Sequence, residues 1–113
     1  MNPENQRVAI AEACGWTEIE PCTCCDGVSR GYEPIPGAHK KHLPDYLNDL
    51  NAMHEVEKVL KQRWSNYCEK LLEIVEPEPR SLEVCHYWNL LHATASQRAE
   101  AFLRTIGKWE EAR

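Results

Sequence analysis

Glu76-Pro77-Glu78-Pro79 constrains this chain more than any other run, because no helix can pass through it. Proline lacks the amide hydrogen that a helix needs and its ring clashes with the preceding turn, so two prolines one residue apart leave a stiff, extended linker. The chain is thereby divided into amphipathic runs before the linker and a β-favouring stretch plus a final helix after it. At 113 residues there is room for one domain, residues 1–113, with a single modest core. The 42% hydrophobic and 27% charged content is ordinary for a globular chain, which excludes wholesale disorder.

Local signals place the elements. Asn2 can cap a first helix, Pro3 suits its first turn and Gly15 can end it in a left-handed conformation. Trp16 to Glu20 alternates at period two and predicts a strand. Residues 28–37 are extended but rich in Pro and Gly, and Pro34 and Pro36 suit an edge strand returning beside the first. Residues 15–43 thus form a hairpin-like, cysteine-containing segment. A central helix follows, with Asn48 as the preferred cap and Leu50, Met53, Val56 (or Glu57), Leu60 and Trp64 along one face. Ser65 marks a restart or kink, after which Tyr67, Cys68, Leu71, Leu72 and Val75 form a second apolar stripe. Leu82 to Leu91 is the best later strand. Residues 94–107 form the closing helix, capped by Thr94 or Ser96, buried along Ala95, Ala99, Phe102, Leu103 and Ile106, and stopped by Gly107. The fold class is α+β and helix-rich: a small β-sheet packed with helices, α/β/α sandwich-like, whose edges favour a homo-oligomer.

A net charge of −5 argues against broad nucleic-acid binding. No run approaches the roughly 20 apolar residues of a membrane span, and the N-terminal residues lack a secretory pattern, so a cytoplasmic protein with reduced cysteines is expected. Three cysteines fall within Cys22-Thr23-Cys24-Cys25, followed by Asp26-Gly27. Cys22 and Cys25 have the spacing of a zinc knuckle, and after thirteen intervening residues come His39 and, after two more, His42. These four are the candidate ligands of one structural zinc, although the histidine spacer is one residue short of the common range. Lys40 and Lys41 would oppose a cation there, and the plain alternative is a reduced cysteine-rich turn with solvated histidines.

Two longer runs carry a resemblance. Leu43 to Leu60 (LPDYLNDLNAMHEVEKVL) resembles the central segment of small phage and prophage proteins with the phage ABA sandwich domain. His92 to Glu110 (HATASQRAEAFLRTIGKWE) resembles their closing helix. The resemblance implies a sandwich of helices around a small sheet, encoded by a bacteriophage and working in the bacterial host cytoplasm. It implies no catalytic activity and transfers no site residues.

Nor do the residues themselves form a catalytic constellation. Cys85 and His86 would point to opposite faces of a strand, and Cys14 and Cys68 lie on apolar helix faces. Glu55, Glu57, Glu69 and Glu73 read as solvated helix surface beside lysines. The aromatics are more suggestive. Trp64 and Trp88 are candidate stacking faces, and Arg98 and Arg104, on the polar side of the closing helix, are candidate charge partners for a phosphate; the plain alternative is that the tryptophans fill the sandwich and the arginines only solubilise it. The expected function is that of a non-enzymatic phage accessory binding protein. It would antagonise host defence by sequestering a nucleotide-type immune signal or by blocking a host defence protein. The alternative is a zinc-stabilised structural or adaptor module contacting a phage or host protein.

Overall fold

Helix α1 (Pro3–Ala13) begins and ends on local chemistry. The Asn2 side chain accepts from the Asn5 amide at 2.7 Å, Pro3 opens the first turn, and Gly15, at φ +95°, turns the chain out of the helix. The structure, a computed structural model, describes residues 1–21, 28–75 and 90–111. Three antiparallel strands follow α1 in the order β1 (Thr17–Pro21), β2 (Ser29–Tyr32) and β3 (Lys41–His42).

β2 is the central strand of this sheet, not the edge that its proline-rich surroundings predict. Pro34 and Pro36 lie beyond its last residue, in the turn toward β3, so neither is asked to donate to a ladder. The β1–β2 ladder shifts register between Thr17 and Glu20. Gly31 sits against that irregularity: a Cβ there would lie 2.9 Å from the Thr17 carbonyl oxygen and 3.0 Å from Ile19 Cγ1.

Two short helices replace the single kinked one expected over residues 48–75. α2 (Leu50–Glu57) is capped by Asp49, whose side chain accepts from the Asn51 and Ala52 amides. Asn48 instead bonds Asp45. The chain then turns and makes one 3₁₀ turn (Lys61–Arg63) before α3 (Trp64–Val75), so the break comes ahead of Ser65. Lys61, at φ +49°, holds a left-handed conformation that costs a non-glycine residue energy. α4 (Ala95–Thr105) carries a full capping box: Thr94 Oγ1 accepts from the Gln97 amide at 3.1 Å, and Gln97 Oε1 accepts from the Thr94 amide at 2.9 Å. Trp109 folds back on the last turn, with the Arg104 guanidinium 5.1 Å from its ring.

α4 is the shared wall of the core. α1, α2 and α3 all pack on it, and Ile10, Met53, Val56, Tyr67, Phe102 and Leu103 meet there almost wholly buried. The sheet joins this group through β1, which lies against α1. With helices dominant and one small antiparallel sheet, the fold is α+β. The linker Glu76-Pro77-Glu78-Pro79 and most of the expected strand Leu82 to Leu91 lie outside the described residues. The described end of that stretch, Leu90 and Leu91, is helical rather than extended. Among the described residues no helix is long and apolar enough to cross a membrane.

Candidate functional site

A buried ion pair joins α2 to α4. Glu57 and Arg98 are 7% and 8% exposed, and Arg98 Nη1 donates to Glu57 Oε2 at 3.1 Å. The position of Arg98 corrects its reading as a residue on the polar side of its helix, and of the two readings of Glu57, apolar stripe or solvated face, the structure has the first. Arg98 follows Ala95 by three residues and precedes Phe102 by four, so it belongs to the buried stripe. Glu57 follows Met53 by four and shares that residue's inward side.

Burial of the pair is made tolerable by near-complete hydrogen bonding. Arg98 Nε donates to the Ala93 carbonyl at 3.2 Å, and Nη2 donates to the carbonyls of Leu90 at 2.9 Å and Leu91 at 3.3 Å. This explains the helical end of the 82–91 stretch: its carbonyls converge on one guanidinium. Tyr67 donates its hydroxyl to Glu57 Oε2 at 2.7 Å. Burial, and then the hydrogen bond to Glu57, push the Tyr67 phenol well above its ordinary range, so it remains a neutral donor. His54 Nδ1 lies 2.7 Å from the remaining oxygen, Glu57 Oε1. Arg98 is therefore a fixed structural cation whose donors are spent on Glu57 and three carbonyls, and as a phosphate partner it is already occupied.

Above this pair the surface opens. His54, Glu57, Lys58, Lys61 and Trp64 line a cleft of about 410 Å³ between α2 and the start of α3. Trp64 is half exposed, and its ring centroid lies 5.4 Å from that of buried Tyr67 at a 45° tilt. Tyr67 thus braces one part of the indole and leaves the rest open to solvent. Lys58 is bonded to both oxygens of Glu55, at 2.9 and 3.1 Å. Lys61 makes no ion pair among the described residues, and its strained backbone carries it into the cleft wall one turn from Trp64. The floor carboxylate is paired with Arg98, so among the described residues the cleft presents an aromatic face beside one unpaired lysine. That combination suits a ligand with a flat ring and an anionic group.

The other sequence candidates lie elsewhere. Arg104 is six positions after Arg98, about 240° around the helix, so the two guanidiniums diverge. Arg104 Nε bonds Glu100 at 2.8 Å and Nη1 bonds Glu111 at 2.9 Å. The cleft beside it, about 630 Å³, mixes Glu73, Glu100 and Glu111 with Lys70 and Arg104, a balance that disfavours a phosphate. Trp88 lies outside the described residues, as do Cys22 and Cys25. His39 and His42 are both exposed. Pro21 pairs with Ser29 and Arg30 with His42, so the register sets His42 near the end of the sheet from which the cysteine run departs. His39 lies three residues back along the chain, about 10 Å if extended. Among the described residues no group of three or more His, Cys, Asp or Glu could hold a metal. Burial pushes the Cys14 thiol up to about 11 and raises that of Cys68, which fits packing residues rather than nucleophiles.

No protein-family model, curated protein or solved structure matches this chain. The resemblance to phage ABA sandwich proteins therefore rests on its two sequence runs alone. Of the cleft residues, sequence reasoning singled out Trp64 and missed His54, Glu57, Lys58 and Lys61. The available signal was the position of Glu57 on the apolar stripe, three residues after His54 and seven before Trp64.

Proposed function

We propose that the protein is a non-enzymatic binding protein whose cleft between α2 and α3 captures a small, phosphate-bearing aromatic ligand of the nucleotide type. One observation carries this reading: Trp64, half exposed and braced by Tyr67, shares a cleft with Lys61, which makes no ion pair among the described residues. A base stacked on an indole gains roughly 1–3 kcal/mol, and a lysine ammonium attracts the phosphate oxygens. The cleft lining supplies a stacking face and a cation, the elements that hold such a ligand. In a phage accessory protein, the setting that the sequence resemblance implies, capture of this kind would sequester a nucleotide signal of host defence. Thermal melts across a panel of mononucleotides and cyclic dinucleotides test the reading, because a ligand bound only by the folded state raises the melting point. At least one nucleotide should raise it in a concentration-dependent way. A panel that leaves it unmoved at millimolar ligand removes the reading.

A second reading, a zinc-stabilised adaptor, is favoured by the sheet register, which sets His42 near the departure of the cysteine run. It predicts about one zinc per chain and a lower melting point after chelation. His42→Ala should cost zinc more than His39→Ala does. Metal-free protein whose melting curve ignores a chelator contradicts it.

A further inference from the structure

We infer that anion capture in the α2–α3 cleft is coupled to protonation of His54, so that the ligand enters together with a proton; this rests on the cleft being an anion site. The imidazole is anchored at one end, with Nδ1 2.7 Å from Glu57 Oε1, while its side chain remains 51% exposed. An ionised carboxylate only accepts, so Nδ1 carries a hydrogen and Nε2 is the nitrogen left to titrate.

What faces His54 decides whether it charges. On α2 are Glu55 and Lys58, which satisfy each other. Lys61 comes from the 3₁₀ turn, and Trp64 from α3 adds no charge. Below, Glu57 is met by Arg98 from α4 and by Tyr67 from α3, and the un-ionised thiol of Cys68 lies close enough to sense both charges of the pair. Glu57 and Arg98 cancel, as do Glu55 and Lys58, so with His54 neutral the charge left facing the cleft is that of Lys61. Protonation adds a second positive charge to that wall of the cleft. A dianion in the cleft favours the imidazolium. By reciprocity the imidazolium favours the dianion, so binding is strongest at low pH and weakens as pH rises through the His54 midpoint.

Inorganic sulfate is the probe, because it stays fully ionised at every pH where histidine titrates. The His54 imidazole signals of the full-length protein are followed by NMR from about pH 5 to 8, with sulfate or with chloride at matched ionic strength. The expected result is a His54 midpoint about one unit higher in sulfate, with no comparable change at exposed His39 or His42. His54→Asn, whose Nδ2 stands where Nδ1 did as donor to Glu57, should fold and lose the pH dependence of sulfate binding. A His54 midpoint unchanged while sulfate shifts the Lys61 and Trp64 signals overturns the coupling and leaves the anion site standing. Cleft signals that ignore sulfate at every pH overturn both.

Discussion

Arg98→Ala is expected to cost about 3–5 kcal/mol of folding stability, because it leaves Glu57 charged and buried with only Tyr67 and His54 as partners. A domain of this size has roughly 5–15 kcal/mol in hand, so the variant should be visibly less folded at physiological temperature. Glu57→Leu should be similarly damaging from the other side, stranding a guanidinium 8% exposed. The double variant Glu57→Leu/Arg98→Met discriminates the cause. Removing both charges should recover much of the loss, since an apolar replacement of a buried pair is often near neutral. Recovery should stop short of wild type, because the carbonyls of Leu90, Leu91 and Ala93 lose their donor. Urea denaturation of the four proteins checks this. Arg98→Ala within about 1 kcal/mol of wild type, the range of an exposed pair, contradicts the burial.

Phe102→Ala should be as costly, roughly 3–5 kcal/mol, by a different mechanism. Phe102 is fully buried on α4, the helix on which α1, α2 and α3 all rest. Truncation removes apolar contact from several elements together, and they cannot all move in to fill the space. Leu50→Ala is the internal comparison. Leu50 belongs to the sequence stripe but is 40% exposed, so its loss should stay within about 1 kcal/mol. Thermal melts of the two variants give the contrast directly. Equal losses at the two positions contradict the placement of the core on α4.

What could be read from the sequence was local. The caps at Asn2 and Thr94, the left-handed Gly15 and the return of Trp109 depend on residues within a turn or two, and all four occur in the structure. Strand order was not local: whether β2 is an edge depends on β3, two residues long and nine positions farther on. The buried pair was less legible still. Charged residues are solvated unless a partner awaits them, and the partner of Glu57 lies 41 residues away. The same holds for the cleft. Trp64 was legible as an aromatic in excess of what the core needs, whereas Lys61 reaches it through a positive φ that no residue type announces.

The central claim, capture of a phosphate-bearing aromatic ligand at Trp64, is tested most directly by calorimetric titration of the best nucleotide from the melting panel into wild-type protein and Trp64→Ala. Trp64 is half exposed, so the variant should fold and melt close to wild type. The account predicts one site per chain and an affinity roughly 5- to 150-fold weaker in Trp64→Ala, the equivalent of losing a stacked base. Binding that is equally tight in the variant would contradict it and move the site away from this cleft.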